Sequence, residues 1–281
     1  MKKATAAWML AAALWAPGAG AQTATVDAVQ YPAWLERGGR LVPLVPGTTL
    51  QASDGVRTGH NARVQLRLSE GSAVKLGENA QFVVERVDNG GGTFRAALSV
   101  LAGAFRFTSQ QVRKRDIAIK VKNVTIGIRG TDLWGKSTDE RDLVCLIEGR
   151  IAVGSDGHPT VTLDQPLDFY QRPRGGNPEV AKVDPKQLET WSAETEIARD
   201  GAAARAGGKW RVVAAAFADR DKALAFNRIV RARGYPSEVT SAEDKFAVQV
   251  PGLASEADAR SLMGNLRGIR GVTLPHVKGG P

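Results

Sequence analysis

The fold is decided by a stretch in the first half of the chain, Arg63-Val64-Gln65-Leu66-Arg67-Leu68, which is followed by the turn Glu70-Gly71-Ser72. Val64, Leu66 and Leu68 alternate with polar residues, and a period of two indicates a strand with one buried face. The alternation resumes after the turn, at Val74 and Leu76. Consecutive strands of a β-rich domain are therefore predicted here.

The same two-residue period extends across residues 41–163. Further strands are predicted at residues 82–87, 94–101, 117–122, 124–128, 143–147, 151–153 and 161–163, with another at Phe105. Glycines such as Gly103, Gly130 and Gly149 stand where these strands end, and each is expected to supply a positive φ or a bulge. Strands at this spacing, with no helical segment between them, indicate an all-β sandwich or solenoid.

The C-terminal part has a mixed pattern. It predicts strands at residues 210–217, 237–241, 246–250 and 271–275, a helix at 219–233, and a second helix that is capped by Ser255 and closed by Gly268. The order βαββαβ is that of one four-stranded antiparallel sheet, with both helices on one face and the other face open.

A less regular segment, residues 164–208, separates the two patterns. It contains a predicted helix that begins at Pro185, runs to Ala206 and stops at Gly207-Gly208. Trp191 on this helix is expected to pack back on the β-rich part. The remainder is predicted to be a linker, and cleavage near Gly207-Gly208 is expected to release two folded fragments.

The first residues have the pattern of a secretory signal peptide. Lys2 and Lys3 precede an apolar run at residues 6–16, and Ala19-Gly20-Ala21 places small residues at the cleavage site. We therefore expect export to the periplasm with cleavage after Ala21. The apolar run is too short for a membrane span, which needs roughly 20 residues, and no span is predicted.

The chain is basic, with 38 Lys and Arg against 29 Asp and Glu and a net charge of +9. Loss of Lys2 and Lys3 with the signal peptide leaves 36 basic residues and a charge of +7. In the cytoplasm this balance would suggest nucleic acid. In the periplasm the expected partners of such a charge are anionic lipid head groups and wall polymers, so no nucleic-acid binding is predicted.

The residue types that carry catalysis are scarce. Cys145 is the one cysteine of the sequence, and it lies in an apolar strand where a buried, inert thiol is expected. His60, His158 and His276 fall in unrelated places without metal-ligand spacing. The motifs of serine hydrolases, zinc proteases and nucleotide-binding proteins do not occur. The sequence therefore predicts no enzyme, no catalytic residue, no metal site and no cofactor.

Short motifs in the β-rich part follow one another in the order of a known family. They are Val45-Pro46-Gly47, Val56-Arg57-Thr58-Gly59, Glu70-Gly71-Ser72, Leu76-Gly77, Leu101-Ala102-Gly103-Ala104-Phe105, Ile128-Arg129-Gly130-Thr131-Asp132 and Ile147-Glu148-Gly149. In this order they resemble the FecR domain, and the Ile-Arg-Gly-Thr element is the most specific of them. The resemblance implies a β-solenoid or a twisted β-sandwich that contacts another envelope protein.

Many FecR-domain proteins are the periplasmic part of transmembrane sigma-factor regulators. This sequence has no segment that resembles their cytoplasmic anti-sigma part and no membrane helix. Direct control of a sigma factor is therefore not expected from the resemblance.

The C-terminal part carries the motifs of a second family. They are the strand at residues 210–217, Arg233-Gly234-Tyr235-Pro236, the strand at 246–250, and Ala254-Ser255-Glu256-Ala257-Asp258-Ala259. Together they resemble the SPOR domain. The resemblance implies a ferredoxin-like α+β fold that binds peptidoglycan glycan strands stripped of stem peptides, as found at division sites. The ligand would lie on the sheet face away from the helices.

Every second residue of each central strand should face this ligand. The glycan-binding residues implied are Arg211, Val213, Ala215, Ala247 and Gln249. The sequence departs from the family where a common Gln is Val213, where a common Arg is Ala247, and where the usual Gly-Pro is inverted to Pro251-Gly252. A packing or protein-contact module of the same fold is the alternative for this part.

The sequence as a whole predicts a multidomain protein. Its parts are a signal peptide at 1–21, an all-β FecR-like domain at 41–163, a linker with a helix at 164–208, and an α+β SPOR-like domain at 209–277. The predicted function is that of a periplasmic, non-enzymatic envelope protein that binds peptidoglycan glycan strands. The alternative is a periplasmic signalling or scaffold protein whose two modules both bind proteins. An envelope hydrolase has only scattered carboxylates in its favour.

Overall fold

The computed structural model describes residues 24–88, 93–109, 115–198, 201–242 and 244–280. The predicted signal peptide at residues 1–21 lies outside this range. Among the described residues, no helix is long and apolar enough to cross a membrane. The described chain is mostly β-structure with three helices, as the sequence predicts for a multidomain protein of this kind.

The first part of the described chain is built from strands β1 to β15. Their bounds are β1 Ala24–Gln30, β2 Ala33–Arg37, β3 Arg40–Pro43, β4 Thr49–Leu50, β5 Gly55–Thr58, β6 Arg63–Leu68, β7 Ala73–Leu76, β8 Gln81–Asp88, β9 Phe94–Thr108, β10 Arg115–Val121, β11 Val124–Ser137, β12 Arg141–Ser155, β13 Val161–Leu163, β14 Asp168–Pro173 and β15 Glu179–Lys182. Val64, Leu66 and Leu68 point into the core, as their alternation predicts.

Three strands are longer than the sequence indicates. β9, β11 and β12 run through Gly103, Gly130 and Gly149, where strand ends are predicted. These glycines have φ values of +83°, +59° and +93°, and the register of β11 against β12 shifts between Arg129 and Thr131. Gly130 therefore bends β11 at a bulge. Gly103 and Gly149 adopt a positive φ without ending β9 and β12. The strand ends predicted at these positions are wrong.

The β-rich part extends beyond its predicted bounds in both directions. β1 and β2 precede residue 41 and pair with β6 and β5. β14 and β15 lie in the segment predicted to be a linker, where β14 pairs with β12. The predicted helix is shorter than expected, since α1 spans Pro185–Ala193 and does not continue to Ala206. Much of residues 164–198 therefore packs on the β-rich part.

Helix α1 is held on a small apolar cluster apart from the main core. The rings of Trp191 and Trp134 stack with their centroids 4.8 Å apart and their planes 9° apart. After the helix, the Glu194 carboxylate pairs with the Lys136 ammonium at 2.8 Å. The prediction that Trp191 packs back on the β-rich part is confirmed.

The C-terminal part consists of β17 Trp210–Phe217, α2 Arg220–Ala232, β18 Glu238–Ala242, β19 Lys245–Leu253, α3 Glu256–Leu266 and β20 His276–Gly279. The strands form an antiparallel sheet in the order β18–β19–β17–β20, and both helices pack on one face. The side chains of Asp219 and Ser255 cap α2 and α3. The strand predicted at 271–275 is wrong, because Gly271, with φ +99°, turns the chain beside the Phe226 ring.

A short strand joins the two sheets. β16 (Ala203–Arg205) pairs with β1 on one side and, through Ala204 and Leu253, with β19 on the other. A carboxylate oxygen of Asp258 in α3 accepts a hydrogen bond from the backbone amide of Ala203 at 2.9 Å. The β-rich part and the C-terminal part therefore share one continuous sheet.

A second contact closes this junction. The backbone amide of Ala33 donates to the carbonyl of Gly234 at 3.2 Å, and the rings of Tyr31 and Tyr235 lie 6.1 Å apart between centroids. Burial raises the pKa of both phenols. One hydrophobic core runs through both parts. This packing argues against the expectation that cleavage near Gly207-Gly208 releases two independent folded fragments.

Candidate functional site

The open face of the C-terminal sheet is the candidate site. Residues that are paired across antiparallel strands point to the same face. Val212 pairs with Val250, and both side chains lie in the core under the helices. The next pair, Val213 and Gln249, therefore points to the open face, as the sequence predicts.

The alternation changes further along β17. The register against β19 shifts between Val213 and Ala215, so that Ala215 pairs with Val248 and lies in the core. The prediction that Ala215 faces a ligand is wrong, because a β-bulge turns its side chain toward the helices. Ala216 takes its place, pairs with Ala247 on the open face, and is exposed.

Gln249 lies on the predicted face but is only 4% exposed. Its Nε2 donates a hydrogen bond to Oε1 of Glu238 on β18 at 2.9 Å. The side-chain amide of Gln249 therefore orients the exposed carboxylate of Glu238 and is itself shielded from solvent. Thr240, which pairs with Ala247, adds a hydroxyl to the same border of the face. Sequence reasoning missed Glu238 and Thr240 because it considered only the two central strands.

A row of basic side chains borders the opposite side of this face. Arg211 pairs with Lys278, and Val213 pairs with His276. Lys278 and His276 are exposed, and Nε of Arg211 is buried without a hydrogen-bond partner in the described part of the chain. Two like charges directly opposite each other do not stabilise a sheet, so this pair is better suited to an outside ligand. Sequence reasoning missed His276 and Lys278 because it placed the last strand at 271–275.

Together these residues form a shallow trough. Its floor consists of the small side chains of Val213, Ala216 and Ala247. Its two borders carry the polar groups of β18 and β20. Arginine and lysine only donate hydrogen bonds, carboxylates only accept them, and sugar hydroxyls do both. The trough can therefore hold an extended polyhydroxylated chain between a donor border and an acceptor border.

Residues that carry metal or thiol chemistry do not gather at this face. Within the described ranges, no group of three His, Cys, Asp or Glu side chains is placed to hold a metal ion.

Burial raises the pKa of the Cys145 thiol to about 12, and nearby Asp168 acts in the same direction. The thiol is therefore protonated at neutral pH and inert, as its apolar strand predicts.

A second candidate site lies in the β-rich part. It is a cleft of about 490 Å³. Its charged lining residues are Arg63, Lys122, Lys136, Glu78, Asp139 and Glu194. Burial lowers the pKa of the Arg63 guanidinium, whereas nearby Glu78 and Glu194 act in the opposite direction. Charges of both signs in one cleft suit a polar protein segment better than a polysaccharide.

Two family models match the chain. The model described as FecR protein matches residues 54–152, and the model described as SPOR domain matches residues 206–275. The chain therefore contains a FecR domain followed by a SPOR domain, which confirms the architecture predicted from the motifs. His276 and Lys278, at the basic border of the trough, lie just beyond the SPOR match.

No curated protein matches the sequence. Two solved structures of a candidate anti-sigma factor from Parabacteroides distasonis ATCC 8503 are similar to part of the chain, each at 14% identity and a TM-score of 0.42. Each match covers 49% of this chain and 64% or 63% of the solved chain. The chain therefore spans less than two thirds of the structures that it matches.

The two families set the class of function. SPOR domains generally bind peptidoglycan and are associated with cell division, and FecR domains are related to signalling. Both are non-catalytic families whose members belong to the cell envelope. The trough on the SPOR sheet and the cleft in the β-rich part are thus two surfaces of an envelope protein.

Proposed function

We propose that this chain, with its FecR domain and its SPOR domain, is a periplasmic, non-enzymatic protein that binds the glycan strands of peptidoglycan. The observation that carries the proposal is the open face of the SPOR sheet, where small side chains form a floor between two polar borders. The SPOR domain supports peptidoglycan as the ligand class. The shape of the trough supports the glycan as the part that is bound.

The chemistry of a stripped glycan strand fits this face. Removal of a stem peptide leaves a carboxylate on the sugar that carried it, and it also removes the bulk that would keep the strand out of a shallow trough. Arg211 and Lys278 can donate charge-assisted hydrogen bonds to such carboxylates. Glu238 and Thr240 can accept hydrogen bonds from sugar hydroxyls on the other side. The freed carboxylate and the removal of the bulky peptide therefore both favour strands without stem peptides over intact peptidoglycan.

The FecR domain has a different role in this proposal. It presents the mixed-charge cleft around Arg63 to another envelope protein, while the SPOR domain localises the chain on the wall. The cleft and the signalling-related FecR family also support a second candidate function, in which both modules bind proteins and the chain is a periplasmic signalling or scaffold protein. If the protein bound other envelope proteins but did not bind sacculi, this second function would be favoured.

The finer description of the domains is part of the proposal. The bounds are 41–163 for the main body of the FecR-like domain, to which β1, β2, β14 and β15 add strands on either side, and 209–277 for the SPOR-like domain, with the rest of 164–208 between them. The family matches at 54–152 and 206–275 support these bounds, and the strand order β18–β19–β17–β20 supports a ferredoxin-like SPOR fold. The long bent strands β9, β11 and β12 support a twisted solenoid or sandwich for the β-rich part.

The molecular mass of the protein isolated from cell fractions tests whether it is exported. We expect a chain that begins at Gln22 and fractionates with the periplasm, because Ala19-Gly20-Ala21 is a signal-peptidase site. Intact-mass measurement of the fractionated protein checks this. A chain that still carries residues 1–21, or one that fractionates with integral membrane proteins, would contradict the proposed localisation.

Binding to the wall is tested by sedimentation. The protein that begins at Gln22 is expected to pellet with purified sacculi and to remain in the supernatant without them. Equal amounts in the supernatant with and without sacculi would contradict the proposed function.

A further inference from the structure

The SPOR sheet has a free edge at β18. This strand pairs with β19, and within the described ranges it pairs with no other strand. Its last pair, Ala242 with Lys245, closes a two-residue hairpin loop, and the residues that flank such a loop are hydrogen-bonded to each other. Every second residue back along β18 therefore bonds to β19. The backbone N–H and C=O groups of Val239 and Ser241, which lie between those residues, point outward.

This edge lacks the features that protect other edges of the protein. Among the other described strands that pair on one side alone, β3 ends in Pro43, β15 ends in Lys182, and β20 carries Lys278. β4 and β13 have only two and three residues. β18 has five residues and a regular register, with neither proline nor lysine. An edge strand of this kind is open to pairing with another chain.

A cavity of about 440 Å³ lies beside this edge, between α2 and β18. Its apolar lining comes from Leu224, Val239 and Phe246. Val239 pairs with the core residue Val248, which places its side chain on the helix side of the sheet. Ser241 pairs with Phe246 on the same side. Side chains alternate along a strand, so every second side chain of a strand added to β18 would enter this cavity.

The cavity also has a basic lining. Arg220 and Arg231 of α2 contribute to it. Arg220 is exposed and has no ion-pair partner within the described part of the chain, and Arg231 donates one N–H to the carbonyl of Ser237 at 3.1 Å. Glu238 also lines the cavity, but its Oε1 accepts a hydrogen bond from Gln249 on the open face. A carboxylate that entered the cavity would therefore meet two guanidinium groups with free donors.

We propose that β18 receives an extended, acidic segment of another protein as an additional strand of the SPOR sheet. The outward groups of Val239 and Ser241 would bind the backbone of this segment. One of its apolar side chains would pack against Leu224, and an acidic side chain two positions along would meet Arg220 or Arg231. In this mode of recognition, backbone pairing supplies affinity and the pockets for alternate side chains supply specificity.

The charges favour a different protein over a second copy of this chain. Symmetric antiparallel pairing of two β18 strands would turn Val239 and Ser241 of each copy toward the cavity of the other. Neither side chain is charged, and Glu238 would lie on the open face. The two arginines would therefore meet no acid in such a dimer.

Docking at this edge does not depend on glycan binding. Val239 and Ser241 face the helix side of the sheet, whereas Glu238 and Thr240 of the same strand border the trough. The edge of β18 and its trough side are therefore separate surfaces, and they can be tested separately.

Binding of a short peptide tests the proposal. The probe is a fluorescein-labelled peptide, Thr-Val-Thr-Glu-Thr-Val-Thr, in which the Glu and the two Val side chains share one face of a strand. The comparison is the same peptide with Lys in place of Glu. Fluorescence anisotropy with the chain that begins at Gln22 measures both affinities. We expect the Glu peptide to bind at least about tenfold more tightly, because Lys would oppose Arg220 and Arg231.

Substitution at the edge tests the backbone pairing. Ser241→Pro removes an outward N–H and places a ring in the way of an added strand, so it should weaken binding of the Glu peptide at least about fivefold. Proline is tolerated on an edge strand where the N–H faces solvent, so the fold should be preserved. Ser241→Thr keeps the N–H and is the matched control, which should bind like the parent.

Substitution in the cavity tests the charge contact without any change to the strand. Arg220→Gln should weaken binding of the Glu peptide about tenfold, because it removes a hydrogen bond from a charged group, and it should not weaken binding of the Lys peptide. Arg228→Gln removes the same charge from the same helix but from a residue outside the cavity lining. This control should bind both peptides like the parent.

Hydrogen exchange locates the bound peptide. The amides of Val239 and Ser241 should exchange more slowly when the Glu peptide is present. No difference between the two peptides, unchanged exchange at these amides, or a dimer that disappears with Ser241→Pro would each overturn the proposal. Sacculus pelleting by Ser241→Pro and Arg220→Gln should match that of the parent, so a failure of edge docking is distinguishable from a failure of the proposed function.

Discussion

Replacement of Gly234 by Ala is expected to lower the free energy of unfolding by about 3 kcal/mol. Gly234 follows α2 with φ +84°, a conformation that costs an alanine about 1–2 kcal/mol. A Cβ there would also lie 2.7 Å from the Trp34 ring and 3.0 Å from Cβ of Pro32. Both contacts belong to β2 and the turn before it, so the new methyl group must push the two modules apart. Denaturant unfolding, followed by tryptophan fluorescence and circular dichroism, measures the change.

Gly157→Ala is the matched control for this substitution. Gly157 has φ +78°, and an added Cβ would meet no atom within 4 Å. It therefore reports the backbone strain alone, about 1–2 kcal/mol. If Gly234→Ala destabilised the protein no more than Gly157→Ala, the junction would not be as tightly packed as the structure shows.

The same experiment bears on the independence of the modules. β16 pairs with β1 and β19, and one hydrophobic core runs through both parts. We therefore expect a single unfolding transition for the whole chain, in which Gly234→Ala destabilises both modules together. Two separate transitions, with only the later one sensitive to Gly234, would restore the expectation of two independent folded fragments.

The double variant Arg211→Ala, Lys278→Ala is expected to weaken sacculus binding about a hundredfold. Each side chain can supply a hydrogen bond from a charged group, worth about 1.5–3 kcal/mol, so the loss of both removes at least about 3 kcal/mol, which corresponds to a hundredfold change or more. The melting temperature should hardly change. Lys278 is exposed and Arg211 is half-buried with its Nε unpaired, and the two like charges oppose each other across β17 and β20, so their removal should cost the fold little. Quantitative pelleting with sacculi provides the measurement.

Arg228→Ala with Arg233→Ala is the control for this pair. It removes the same charge from the same module, but from the helix side of the sheet. Sacculus binding should stay at the parental level in this control. A similar loss in both double variants would mean that the basic chain is attracted by charge alone and that the trough is not the site. Gln249 is left in place, because it is buried and holds Glu238, so its removal would mix a folding effect with a binding effect.

The sequence predicts the alternation of buried and exposed residues well where strands are regular. Val64, Leu66 and Leu68 enter the core, and Val213 and Gln249 lie on the face that the pattern assigns to them. The helix cap at Ser255 is equally predictable, since a short polar side chain before a helix satisfies its free amides. Asp219, predicted as the first residue of its helix, is the cap residue before α2.

Bulges explain most of the errors. A bulge reverses the alternation after it, and no residue type marks the one between Val213 and Ala215, where the neighbours are alanines and valines. The alternation therefore predicts the wrong face for Ala215. The sequence predicts strand ends at Gly103 and Gly149, because a glycine ends a strand in many proteins; here both adopt a positive φ and the strand continues. Only the pairing of the neighbouring strand distinguishes the two cases.

Pairing between strands that are far apart in the sequence explains the remaining errors. β1 precedes the FecR motifs, and its partners β6 and β16 lie far along the chain, so no local pattern shows that it belongs to the sheet. The basic border of the trough depends in the same way on β20, whose residues pair with β17 more than sixty positions earlier. Local periodicity thus identifies central strands more easily than strands joined by distant partners.

Sedimentation with intact and with amidase-treated sacculi tests the central claim most directly. If the trough of the SPOR sheet binds glycan strands, removal of the stem peptides uncovers carboxylates for Arg211 and Lys278 and clears the shallow floor. The account predicts that more protein pellets with amidase-treated sacculi than with the same mass of intact sacculi, and that the Arg211→Ala, Lys278→Ala variant loses this gain. Equal or weaker pelleting with the treated sacculi would contradict the account.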